Sequence, residues 1–131
     1  MACKKDEEIS TTPVISFESI TPSQPEAYTD EVVITISYRD GDGDLGENDA
    51  DVTNCFVTDS RTGVEYAFRI PQLAPSGSNI VIDGSIDVKL QSLGISDGAS
   101  SEAATFDIYV VDRAGNQSNT VTSSAIIVMD N

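Results

Sequence analysis

Between Asp40 and Asp51 the chain reads DGDGDLGENDAD, and six of these twelve residues are carboxylates: Asp40, Asp42, Asp44, Glu47, Asp49 and Asp51. No basic residue lies among them. Like charges packed this densely repel one another unless a cation neutralises them. The first three aspartates alternate with glycine. That spacing lets a curled loop aim Asp40, Asp42 and Asp44 at one point, with Gly41 and Gly43 free to take dihedrals that other residues avoid. Hard oxygen ligands on a flexible loop suit Ca²⁺. Metal binding is the chemistry expected here, with Glu47 and Asp51 as further ligands.

Counted from Asp40, the aspartates Asp42, Asp44 and Asp51 fall at positions three, five and twelve of an EF-hand loop. Position six, where that loop needs glycine, is Leu45, and the glycine follows at Gly46. Position twelve is the shorter Asp rather than Glu, which weakens bidentate capture. The preceding residues, VVITISYR, alternate as a strand rather than forming an amphipathic helix. The segment reads as an EF-like calcium loop grafted between strands. The competing reading is a solvated acidic turn, because turns favour Asp and Gly.

The elements that must position this loop are strands. From Pro13 onward no window sustains helical periodicity, whereas short alternating apolar runs recur between turn clusters. The runs are Val14–Phe17, Val32–Tyr38, Val52–Thr58, Val64–Ile70, Ile80–Ile82, Ile86–Leu90, Phe106–Val111 and Val121–Val128. Asp83-Gly84 reads as a bulge or tight turn separating two of them. The Pro-, Ser- and Gly-rich stretch Pro71–Ser78 reads as a loop. Gln91–Ala103, rich in Ser and Gly, reads as a link crossing between sheets. The fold class expected is all-β: an immunoglobulin-like antiparallel β-sandwich of about seven to eight strands. Residues 1–13 form a tether in this reading, and 14–131 the domain. The tryptophan and paired inter-sheet cysteines of antibody domains are missing, so hydrophobic packing alone must join the sheets. Cys55, in the apolar run NCFV, is expected to be a small core residue.

At 131 residues the chain fits one domain. Its net charge of −15 argues against nucleic acid and anionic membrane surfaces, since phosphates would be repelled. The absence of histidine removes the usual catalytic base and the usual zinc ligand together. The clustered acids sit in a glycine-rich loop where solvent keeps carboxylates ordinary, and no activated nucleophile backs them. A catalytic role is not expected. No stretch is long enough to span a bilayer as a helix.

Three short motifs carry a family resemblance. Ala2-Cys3 resembles the end of a bacterial lipoprotein box, whose cysteine is lipidated. The following Lys4-Lys5-Asp6-Glu7-Glu8 resembles the lysine-plus-acids signal that lipoproteins of the Bacteroidetes use to reach the cell exterior. Asp112, Ala114, Gly115 and Asn116 match the D-x-A-G-N turn before the last strand of many bacterial immunoglobulin-like domains. Taken with the DGDGDLG loop, the chain resembles small immunoglobulin-like surface lipoproteins of that group. The resemblance implies a lipid on Cys3, an outer-membrane address facing the exterior, and no particular activity.

In such a sandwich, the loop after the second strand and the loop between the last two strands lie at the same end. Asp112 and Asn116 could then complete the shell of an ion held by Asp40, Asp42 and Asp44, since calcium takes six to eight oxygens. Ordinary turn chemistry explains Asp112 and Asn116 equally well, and the two roles are compatible. The expected function is a non-catalytic binding or structural module at the cell surface, stabilised by calcium. A glycan- or nutrient-binding accessory of an outer-membrane uptake system is the alternative, and a calcium-dependent hydrolase is third. The partner is an unspecified protein or glycan, the membrane is met only through the lipid, and a monomer is the expected state.

Overall fold

A computed structural model describes residues 11–75 and 80–130. Cys3, the Lys4–Glu8 signal and most of the tether lie outside the described residues, as do Asn131 and part of the Pro71–Ser78 loop. The described residues form nine strands: β1 (Val14–Thr21), β2 (Val32–Asp40), β3 (Cys55–Asp59), β4 (Glu65–Phe68), β5 (Ile82–Leu90), β6 (Ser101–Ala104), β7 (Phe106–Val110), β8 (Val121–Thr122) and β9 (Ile126–Met129). One sheet has the order β1-β2-β5, a second β4-β3-β7-β8, and β6 and β9 make a separate ribbon. Every strand pair is antiparallel. This is the order of an immunoglobulin-type sandwich.

The alternation read in the sequence decides which residues meet between the sheets. Val32, Ile34 and Ile36 of β2 are fully buried, as are Cys55 and Val57 of β3 and Phe106, Ile108 and Val110 of β7. They belong to one continuous apolar cluster. Burying such side chains contributes about 1.5–3 kcal/mol each, which is what holds two sheets together without a bridge between them. Cys55 is a free thiol in that core, and burial pushes it up to about 12, so it stays protonated and unreactive.

Four expectations need correcting. Asp83-Gly84 does not interrupt a strand, because β5 runs unbroken from Ile82 to Leu90 and pairs along its whole length with β2. The glycine is there for a neighbour: Gly84 lies opposite Tyr38, and a Cβ on it would come within 2.8 Å of the Tyr38 hydroxyl. The Gln91–Ala103 link contains β6, which pairs with β9. The final apolar run splits into β8 and β9, which join different partners. The strand expected at Val52–Thr58 starts only at Cys55; Asn54 before it still bonds Phe68 O and Val111 N through its backbone, while its side chain holds Ile70. Its side chain accepts a hydrogen bond from Ile70 N at 2.6 Å and donates to Ile70 O at 3.2 Å.

The register fixes two ends. At one, Asp40 closes β2 and Asp112 follows the end of β7. At the other lie the β1–β2 connection, the β3–β4 turn and the segment after β5.

Candidate metal centre

Asp40 is the last residue of β2, and Asp42 and Asp44 follow it in the loop. One carboxylate oxygen each from Asp40, Asp42, Asp44 and Asp112 lies within 4.8 Å of the others. Oxygens around a single Ca²⁺ at about 2.3–2.6 Å stand at most roughly 5 Å apart, so all four fit one coordination sphere. The sequence-distant Asp112 therefore joins the three loop aspartates, and the two loops do meet at one end.

Backbone geometry explains how the loop curls. Gly43 has φ of 72° and Gly46 has φ of 98°, a region that costs other residues strain. A Cβ on Gly43 would sit 2.5 Å from Ile80 O, and one on Gly46 would sit 2.2 Å from Pro71 O. Both glycines thus let the loop pass beneath neighbouring backbone. Gly41, expected to share this role, is not at positive φ; Gly46 takes its place. Leu45, in the position where an EF-hand needs glycine, is fully buried and anchors the loop in the core.

Arg113 clamps the two loops from the other side. Its amide donates to Asp44 O at 3.0 Å, and its guanidinium Nη1 donates to Gly46 O at 2.6 Å. Asn116 stands behind Asp112: its amide donates to Asp112 Oδ1 at 2.8 Å and its Nδ2 to Oδ2 at 3.1 Å. Each carboxylate oxygen has two lone pairs, so Asp112 can be oriented by Asn116 and still face an ion. The turn reading and the ligand reading are compatible, with Asn116 orienting Asp112 beside the carboxylate cluster.

Glu47 and Asp51 also lie outside that cluster. Glu47 accepts from Asp49 N at 3.2 Å, and Asp49 accepts from Asp51 N at 3.0 Å. The acidic run thus divides into a converging half, Asp40 to Asp44, and a half stabilised by local turn bonds, Glu47 to Asp51.

The electrostatics of the converging half are unusual. Asp40 is fully buried, yet neither of its oxygens has a hydrogen-bond partner, and Asp42 and Asp44 each contribute one more buried unpaired oxygen. None of the four aspartates forms an ion pair among the described residues. A buried polar atom without a partner costs roughly 1–3 kcal/mol, more when charged. Without a cation, protons must take up part of the charge. Burial, then the crowding Asp42 and Asp40 carboxylates, pushes Asp44 up to about 8. Burial also raises Asp40, whereas the adjoining Asp44 carboxyl holds Asp42 below the usual carboxylate range. The donor set is oxygen only, which suits a hard cation.

Sequence reasoning singled out all four aspartates of the cluster but missed the parts played by Arg113, Gly46 and the backbone of Pro71 and Ile80. Arg113 carried a signal, since it is the only cation in either of the two loops. The backbone approaches left no signal, because any residue supplies a carbonyl. No protein-family profile, curated protein or solved structure matches the chain.

Proposed function

We propose that this chain is a non-catalytic, immunoglobulin-like module of the cell surface whose loop end is clamped by Ca²⁺. The observation that carries the metal assignment is Asp40: a fully buried carboxylate, both oxygens unpaired, facing three other aspartates. Asp40, Asp42, Asp44 and Asp112 hold the ion, and the carbonyls and waters that calcium also accepts complete its shell. Magnesium suits the site less, because it demands rigid octahedral geometry and gives up its waters reluctantly. Bound calcium ties the loop after β2 to the loop after β7, and so joins the two sheets at that end. The lipoprotein-like start supports attachment through Cys3 at the outer membrane, facing outward, with a protein or glycan as partner.

The test is a thermal melt in calcium, in magnesium and in chelator, with elemental analysis of the purified protein. A calcium-specific rise in Tm that is lost in Asp42→Ala supports the assignment. Identical melts in all three conditions, with no metal recovered, would falsify it.

A further inference from the structure

The end of the sandwich opposite the aspartates carries a second feature. A cavity of about 270 Å³ opens there between Tyr28, Tyr66, Arg61, Thr62, Ser96 and Glu102. We infer that this groove binds a neutral saccharide.

The argument begins with Tyr28. It is 61% exposed, yet it is held in place. Its amide donates to Leu93 O at 2.8 Å, and its hydroxyl donates to Ile95 O at 3.3 Å and accepts from Ile95 N at 3.4 Å. Gly94 makes room for the ring, since a Cβ there would lie 3.2 Å from Tyr28 Cε1. Tyr28, in this wall, stands at φ 61°, one of only two non-glycine residues at positive φ among the described residues; the other, Ser92 at φ 54°, lies two positions before Gly94. Strained backbone of this kind concentrates where a side chain is held ready for a ligand. A fixed, exposed aromatic ring is a low-entropy platform for an apolar face.

The polar floor narrows the ligand class. Arg61 is bound by Asp59 through Nη2 at 2.8 Å and Nε at 3.1 Å, by Glu102 through Nη1 at 3.0 Å, and by Gly94 O at 2.8 Å. Four of its five N–H groups are committed, so it is no anion receptor. One guanidinium and two carboxylates leave the groove at minus one, in a chain of net charge −15, which repels acidic ligands. A cation gains little either, because Asp59 is buried and its charge is already paired with Arg61. What remains are the Thr62 hydroxyl, which accepts from Val64 N at 3.1 Å and keeps its proton to donate, the lone pairs of a Ser96 hydroxyl that itself bonds Glu102, and the second Glu102 oxygen, set beside two tyrosine rings. A neutral sugar ring matches this, with C–H faces for the tyrosines and hydroxyls for the rim.

The site shares no residue with the metal centre, so the two can be tested apart. The experiment is an amide and aromatic NMR titration with neutral gluco-, xylo- and manno-hexaoses, with oligogalacturonate and tetralysine as acidic and basic probes. One or more neutral hexaose should give saturable shifts at Tyr28, Tyr66 and residues 94–96. Tyr66→Ala and Tyr28→Ser, checked for native spectra, should each weaken binding about tenfold, the loss of roughly 1.4 kcal/mol. Asp42→Ala should leave the shifts in place. The inference fails if no neutral hexaose shifts these residues at about 10 mM, if only tetralysine does, or if a native-like Tyr66→Ala binds as tightly as the parent.

Discussion

A carboxylate that has no donor inside the protein is waiting for something from outside it, and Asp40 is the plainest case here. Asp40→Asn and Asp42→Ala should abolish the calcium response, whereas Glu47→Gln and Asp51→Asn should leave the dissociation constant within about twofold, since neither joins the cluster. Isothermal titration of the four variants checks this. Asn116→Ala should weaken calcium about 10–100-fold by freeing Asp112, the usual effect of losing an orienting partner. The pH dependence has a definite sign. In metal-free protein Asp44 titrates near 8, raised from 3.8, so between those values the folded state holds a proton that the unfolded chain has released. The Asp44 contribution to apo stability is full below about pH 4 and is lost as pH rises through about 8. Calcium displaces that proton. Titrations at pH 7 in buffers of differing ionisation enthalpy should therefore show roughly one proton released per ion, and affinity should rise from pH 6 to 8. Proton release of zero would mean the aspartates are already ionised without metal. At this scale the sequence was informative because charge density is visible in letters. The convergence of Asp40, Asp42 and Asp44 was legible in their alternation with glycine, whereas the absence of Glu47 and Asp51 from that cluster was not, since it depends on where the turn bonds of Asp49 fall.

Strands were legible for a related reason: alternation of apolar residues is itself the cause of a half-buried strand. The interior faces of β2 and β7 follow from it directly, whereas in β3 the run Cys55-Phe56-Val57 leaves the phase open until the fold places Cys55 and Val57 inside. The misread positions are those where a residue answers to a neighbour distant in sequence. Gly84 reads as a break but serves Tyr38, and Asn54 reads as strand but serves Ile70. The last apolar run gives no hint that its two halves join different sheets. The loop glycines permit a graded test of the close approaches. Gly46→Ala combines φ of 98° with backbone 2.2 Å away, and should cost about 2–4 kcal/mol in urea melts and weaken calcium as well. Gly115→Ala has φ of 89° but open space around it, and should cost only about 1–2 kcal/mol. Equal losses would mean that loop packing contributes nothing beyond the dihedral.

For the whole molecule, an ion that binds only the folded state stabilises it by about 2.7 kcal/mol at a hundredfold excess over its dissociation constant. In a domain of this size that raises Tm by roughly 4–10 °C. Calorimetry with and without chelator measures it. Reductant should leave Tm unchanged, because the described core relies on packing and Cys55 is a free thiol within it. A drop of many degrees would reveal a bridge to Cys3. The address is tested separately: with the native precursor expressed in its host, a palmitate analogue should label the protein and Cys3→Ser should abolish both label and membrane association. Unchanged partition of that variant would overturn the lipoprotein reading.

The direction of β1 has a consequence for how the molecule is presented. Val14 pairs with Arg39, the neighbour of Asp40, whereas Thr21 pairs with Val33 at the far end. The chain therefore enters the sandwich beside the aspartates and runs away from them for eight residues, about 26 Å of strand. Under the proposed Cys3 anchor, the domain would stand with its aspartate end toward the membrane and the tyrosine groove toward the medium. The ion would brace the stalk-side joint, the part that carries any load between anchor and cargo, while the groove stays clear of the lipid surface.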